Sequence, residues 1–227
     1  MWRNFLQYFQ RDNLLTQALN ESHRMLRLDL EMYQASVHSL REHEQGGFDI
    51  DVLQKDKEIN RFEREVRQKV LTHLTVSGAS DLQSGLVLVS IIIDIERIGD
   101  YAKNIYDLAE YHTARLDAGS LEERLGTVEK KTTEIFSSTV KAFQDHDVDL
   151  AREVMHWYKD SLSKECEEII RHIIEGKAPD LNAPTATAVS LYARYLKRIG
   201  GHSRNIVTSV VNPFHRIGYK EKKLRDL

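Results

Sequence analysis

One helical phrase occurs twice in this chain, and the repetition restricts the folds open to it. Residues 96–105 read Glu-Arg-Ile-Gly-Asp-Tyr-Ala-Lys-Asn-Ile, and residues 197–206 read Lys-Arg-Ile-Gly-Gly-His-Ser-Arg-Asn-Ile. Five of the ten positions are identical at a constant offset of 101. A glycine-containing helical phrase repeated so far apart points to a duplicated unit and to two similar halves packed together. Around the first copy, Ile91, Ile95, Ile98, Ala102, Ile105 and Ala109 recur at three- and four-residue steps and make one apolar helical face. A second stripe, Leu86, Val89 and Ile93, runs beside it and continues into Glu96, Asp100 and Asn104. Carboxylates that prolong an apolar stripe, flanked by core, need a cation, a hydrogen-bond network or a metal.

The remaining composition suits long amphipathic helices. Apolar residues make up 41% and charged residues 30%, and none of the 3 prolines precedes Pro179, so nothing forces a helix break before it. A net charge of −3 gives no general field for nucleic acid, and no nucleic-acid partner is expected. Cys166 stands alone, which excludes an intrachain disulfide and fits a reducing compartment. The N-terminus has no apolar signal core, and the greasy run Leu86–Ile93 is far short of the roughly 20 residues of a membrane span. The expectation is a cytoplasmic protein, peripheral at most at the inner face of the membrane.

The spacing predicts six helices. The first starts near Asp12 or Asn13 and runs to about Glu44, stopped by Gly46-Gly47. The second follows an Asp49 or Asp51 cap to about Val76, with the core stripe Ile59, Phe62, Val66, Val70 and Leu74. The third opens at Ser80, with Gln83 completing a capping box; a second such box, Ser120 with Glu123, opens the fourth. Asp145-His-Asp147 turns into a fifth helix that runs to Gly176. The Lys177–Pro184 loop leads to a sixth, ended by Pro213. The architecture expected is all-α: two pseudo-repeated three-helix bundles, residues 1–118 and 119–213, packed into one elongated helical domain, with a basic tail over 214–227.

Chemistry-bearing residues gather on two predicted helices. Asp56, Asn60 and Glu63 stand at i, i+4 and i+7 beside the core stripe of the second, and Glu96 and Asp100 form an i, i+4 pair on the third. If these helices pack as antiparallel neighbours, both sets face one groove, and its oxygen donors suit hard or borderline cations such as Mg²⁺, Mn²⁺ or iron. The competing reading is a solvated or ion-paired stripe, with Arg97, Lys103 or Arg64 as partners. In the second copy Glu96 becomes Lys197 and Asp100 becomes Gly201, while Arg194, Lys197 and Arg204 share the corresponding stripe. A cation site is not expected there; a solvated basic face is the first reading, with an anion site or ion pairs with a neighbour as the alternatives.

These residues resemble the PhoU family of accessory regulators of bacterial phosphate uptake. The resemblance rests on Asp56-Lys-Glu-Ile-Asn60, on Glu96-Arg-Ile-Gly-Asp100 with Asn104-Ile105, and on the repeated Arg198-Ile-Gly-Gly-His-Ser-Arg-Asn205-Ile. It implies paired three-helix bundles and a cytoplasmic protein that binds metal through D/E-x-x-x-D/N motifs, here Asp56, Asn60, Glu96 and Asp100, with Glu63 added from helical spacing. The implied cofactor is a divalent or trivalent metal ion, whether iron, Mn, Mg or Zn. The implied partners are a membrane phosphate transporter, a sensor histidine kinase or a sodium–phosphate cotransporter, and a second copy in a homodimer. Lys197 and Gly201 depart from the family pattern and mark a divergent second repeat.

Other features carry less. Residues 1–11 are aromatic-rich and amphipathic, fit to pack over a bundle end or touch a membrane surface. The tail from His215 carries Arg216, Lys220, Lys222, Lys223 and Arg225 and is expected to be mobile. The ten histidines include no H-x-x-x-H pair, which argues against a histidine-based zinc site. No nucleophile–base set or phosphate-cradling glycine loop is present, so no catalysis is expected. Two alternatives to a regulator stand beside it: a carboxylate-bundle protein for redox or storage, and a metal-free dimeric scaffold.

Overall fold

The structure, a computed structural model, describes residues 13–42, 51–112 and 114–221. Among these residues it is all helical: α1 (Leu14–Glu42), α2 (Val52–Ser77), α3 (Leu82–Tyr111), α4 (Glu122–Asp145), α5 (Val148–Trp157), α6 (Ser163–Ile174) and α7 (Ala183–Val211). A π-helical turn at Tyr158–Leu162 joins α5 to α6 without a break, so the seven segments form six rods. Helices α1, α2 and α3 pack on one another, and α4, the α5–α6 rod and α7 do the same. The halves meet chiefly along α3 and α7, the helices that carry the repeated phrase, and more lightly along α1 and α4.

Heptad spacing explains the packing of α1 and α4. On α1, residues 15, 18, 22, 25, 29, 32, 36 and 40 follow the 3-4 step and are all buried; on α4, residues 125, 128, 132, 135, 139 and 142 do likewise. Four helix starts are fixed by carboxylate or amide caps. Asn13 accepts from the backbone of Leu15 (3.0 Å) and Thr16 (2.9 Å), and Asp51 accepts from Gln54 (2.9 Å). Asp147 caps α5, and Asn182 caps α7 just before Pro184.

Neither Ser80 nor Ser120 is the N-cap of its helix. The Ser80 hydroxyl donates instead to the Ser77 carbonyl, and α3 starts after the 3-10 turn Gly78–Asp81. Asp81 is occupied by His73 at 2.7 Å. Ser120 lies in the 3-10 turn Gly119–Leu121, where Asp180, 60 residues on, accepts from both its amide and its hydroxyl at 2.7 Å. A long-range carboxylate thus replaces the local cap. Along the second stripe of α3, Leu86 and Ile93 are exposed and Val89 is partly covered. The basic tail is not free as far as Glu221. Asn212 donates to the carbonyls of Arg216 and Tyr219, Thr208 accepts from the Gly218 amide, and Glu221 forms a two-pronged pair with Arg152. The segment 1–11, the Asp49 cap, the Gly46-Gly47 stop and Lys222, Lys223 and Arg225 lie outside the described residues.

One ion cluster fastens the end of α1 to the second half. Arg41 is buried and reaches the Leu116 carbonyl, Glu122, and Glu129 (Nε to Oε2, 3.0 Å). Tyr192 of α7 donates to the same Glu129 oxygen at 2.9 Å. Burial pushes the Glu129 carboxyl above its ordinary range despite these partners, so its charge depends on Arg41. Removing one member of such a pair strands the other. We expect Arg41→Ala to lower unfolding stability by about 3 kcal/mol. Arg124→Ala, which breaks the more exposed pair with Glu165, is expected to cost less than about 1 kcal/mol. Urea midpoints of the two variants check both.

Candidate functional site

The groove between α2 and α3 collects carboxylates, and its floor comes from α1. Asp29 occupies a heptad position of α1 between Ser22 and Ser36 and is fully buried. Neither of its carboxylate oxygens has a hydrogen-bond partner among the described residues. A buried, unpartnered carboxylate is costly, and the local chemistry makes it more so. Burial holds its carboxyl well above the usual range, and Glu96, Asp100 and Asp56 push in the same direction.

Gly99 makes room for the Asp29 carboxylate. A Cβ built there would lie 2.7 Å from Asp29 Oδ1 and 3.3 Å from the Ile59 side chain. The absent side chain therefore creates the space in which the Asp29 carboxylate sits, with Glu96 and Asp100 on either side of Gly99 along α3.

The five residues singled out by sequence do not all stand alike. Glu96 and Asp100 sit on the rim of the groove, both bridged by the exposed Arg97, at 3.5 Å and 2.7 Å. Burial and then Asp100 raise the Glu96 carboxyl, with Glu63 contributing from across the groove. Burial also raises Asp56; Lys103 opposes this, and Asp100 adds to it. Glu63 pairs with Arg67 one turn along α2 at 2.7 Å. The Asn60 amide donates to the Asp56 carbonyl at 3.0 Å, so it is engaged with its own helix. Asp56, Glu63, Glu96 and Asp100 thus feel one another across α2 and α3, while Asn60 flanks them. Lys103 pairs with Asp107 (2.9 Å), and Arg97 and Arg67 are the nearest ion-pairing cations.

Sequence reasoning missed Asp29. Its apolar neighbours on α1 form one broad face, which hides the polar residue within it. Reading α1 as a strict heptad puts Ser22, Asp29 and Ser36 at one recurring inward position, and that signal was available.

The donors are all oxygen and mostly anionic, which suits a hard or borderline cation. The unpartnered oxygens of Asp29 are the observation that fits such an ion. Among the described residues no three acidic, histidine or cysteine side chains are already closed to coordination distance. A cation would therefore have to draw Glu96 and Asp100 away from Arg97, whose exposed pairs are cheap to break.

The second half has the opposite lining. Arg194, Lys197 and Arg204 project with Arg198, His202 and Asn205 around a groove of about 330 Å³, walled by Tyr158 and floored at Gly201. Lys197 pairs with the exposed Glu167. His202 and Asn205 both donate to Asp94 Oδ1, at 2.7 Å and 3.1 Å, which ties α7 to α3. His202 also stacks on Tyr101, with centroids 5.8 Å apart, and Arg198 donates to the Tyr101 hydroxyl at 3.1 Å. His202 is therefore a structural link between the repeats.

Comparison with known proteins agrees with this duplicated architecture. The family described as the PhoU domain matches twice, over residues 23–109 and 126–210. The phosphate-specific transport system accessory protein PhoU homolog 1 of Thermotoga maritima is 27% identical over 164 residues, spanning 70% of this chain and 70% of that protein. The homolog of Pseudomonas aeruginosa is 28% identical over 165 residues, spanning 70% of this chain and 67% of its own length. The crystal structure of PhoU from Pseudomonas aeruginosa superposes with a TM-score of 0.73 at 24% identity, covering 87% of this chain and 95% of that one.

The Asp29 environment yields a pH prediction for metal-free protein. A carboxyl raised in the folded state takes up a proton on folding. It costs nothing below its unfolded pKa of about 3.9 and destabilises increasingly as pH rises through the folded value. Asp29→Asn is thus expected to raise the urea midpoint at neutral pH and to leave it unchanged near about pH 4. Midpoints of wild type and variant at the two pH values check this.

Proposed function

The chain belongs to the PhoU family, and on that premise we propose that it is an accessory regulator of phosphate transport that works by docking rather than by catalysis. The observation that carries the reading is the double family match, one copy in each half, with α3 and α7 as the paired repeat helices. The curated relatives are named as accessory proteins of phosphate-specific transport, and the same role is inferred here. The partners inferred are a membrane phosphate transporter or a sensor histidine kinase, with a second copy of the chain as a further one. No helix among the described residues is long and apolar enough to cross a membrane. Docking at the cytoplasmic face of a membrane complex is the mode proposed.

A cation in the α2–α3 groove would shape that docking surface. Asp29, Asp56, Glu96 and Asp100 would hold it, with Asn60 and Glu63 at the margin. When bound, the metal supplies positive charge that neutralises carboxylates otherwise repelling one another. The chain's own residues do the rest. Gly99 makes room for the Asp29 carboxylate, and Arg97 is released when Glu96 and Asp100 turn inward. The exposed aliphatic stripe Leu82, Leu86 and Ile93 lies on the same helix, upstream of Glu96. Apolar surface of this kind next to a charged rim suits a protein partner.

Elemental analysis after dialysis against manganese-containing buffer tests the groove. Wild type is expected to retain stoichiometric metal, and Glu96→Ala/Asp100→Ala to lose it while its helical circular dichroism stays the same. Equal and negligible metal in both would make Glu96 and Asp100 ion-pair partners of Arg97 and the docking metal-free. Capture of a phosphate transporter or its kinase by tagged protein under phosphate limitation tests the role itself; capture of neither contradicts it.

A further inference from the structure

The basic groove of the second half has chemistry that neither the docking role nor the carboxylate site uses. Arg194, Arg198 and Arg204 all line it, and none forms an ion pair among the described residues. Arg198 is held by the Tyr101 hydroxyl. Arg204 donates to the Gly218 carbonyl at 3.0 Å and lies over the Tyr158 ring, its Cζ 5.9 Å from the centroid. Neutral partners of this sort orient a guanidinium without neutralising it. Lys197 is the one lining cation with a carboxylate partner, Glu167, which Arg194 also draws downward. Glu167 is largely exposed and reaches the groove from α6 at its edge.

Positive charge also gathers near Arg204. Lys220 lies against Lys159, and these neighbours together with Arg204 hold its ammonium below the ordinary lysine range, with Asp160 opposing. Deeper in, His202 Nδ1 is fixed on Asp94, while its Nε2 is buried and has no partner among the described residues. Asn205 is anchored to the same carboxylate. Where the first repeat has Asp100, Gly201 places no side chain in the space. The π turn swings Tyr158 across Gly200 and Gly201 to form the wall, a local distortion of the kind that often accompanies binding sites.

We propose that this groove binds a small phosphorylated anion, with Arg194, Lys197, Arg198 and Arg204 recognising the phosphoryl group and Tyr158 flanking the rest of the ligand. Arginine forks match phosphate oxygens in pairs, and several fixed cations around one cavity favour a multiply charged group over chloride. The volume lies at the lower end of the roughly 300–1,000 Å³ of small-molecule sites, which accommodates a free phosphate, a pyrophosphate or a nucleoside monophosphate. All three present the same recognised chemistry. The inference is independent of any metal in the first half, and its failure would leave that site untouched.

Isothermal titration calorimetry at constant ionic strength, with inorganic phosphate, pyrophosphate and AMP as separate probes and potassium sulfate as control, tests the proposal. At least one phosphoryl probe is expected to bind more tightly than sulfate, and the tightest identifies the source of the group. Arg194 is exposed, so Arg194→Ala should leave the melting temperature unchanged while weakening binding by about tenfold, the loss expected for one charge-assisted hydrogen-bonding partner. Gly201→Asp, which restores the first repeat's carboxylate, should abolish binding. No heat with any of the three probes, sulfate binding as tightly as they do, or equal affinity in wild type and Arg194→Ala would overturn the proposal.

Discussion

The meeting of Asp29 with Gly99 is the constraint on which the first half depends. A side chain at position 99 of α3 would meet the Asp29 carboxylate and Ile59, and the space its absence leaves is given to a carboxylate rather than a methyl group. A chain selected for stability alone would place an aliphatic residue at position 29, as α1 does at the neighbouring inward positions Met25 and Met32. Retaining an unpartnered acid at the centre of a bundle, faced by three further carboxylates, opposes folding. Strain of that kind belongs to sites that bind something. The complementary charge is what the arrangement lacks, and a cation is the occupant proposed for it.

The same architecture in the second half carries the reverse sign. The glycine following Arg-Ile recurs at position 200, where Leu162 and Tyr158 fill the approach instead of a carboxylate. On α4 the inward polar positions are Thr132 and Thr139, whose hydroxyls are satisfied by the carbonyls one turn back, at 2.8 Å each. The buried polar positions facing inward there are neutral, and the cations stand in the groove instead. One duplicated scaffold thus presents an acidic and a basic groove, joined through the α3–α7 seam at Asp94, Tyr101, Arg198 and His202.

Much of this was legible from the residues. Helical periodicity, the proline-free first three quarters and the repeated phrase were enough for six rods in two related sets, and the turn at His146 and the loop before Pro184 follow from their local chemistry. The groove residues on α2 and α3 were visible as stripes beside core stripes. The misses have physical causes. Capping boxes assume a local partner, but Ser120 finds Asp180 across the fold, and Ser80 lies in a 3-10 turn rather than at a helix start. The stripe of Leu86, Val89 and Ile93 was visible, but its exposure was not, because periodicity does not say whether another helix covers a face. Asp29 stayed hidden because burial of an acid is set by tertiary packing, here by a glycine 70 positions away. The π turn that places Tyr158 in the basic groove leaves no mark in hydrophobic spacing.

The most direct test of the central claim is the thermal stability of metal-free wild type and Asp29→Asn as manganese is added at neutral pH. A ligand that binds only the folded state raises the melting temperature with its concentration. The account predicts that wild type starts lower than the variant and climbs steeply with manganese, while Asp29→Asn starts higher and stays nearly flat. Parallel rises in both proteins, or no response in either, would contradict it and leave Asp29 a buried acid without a cation.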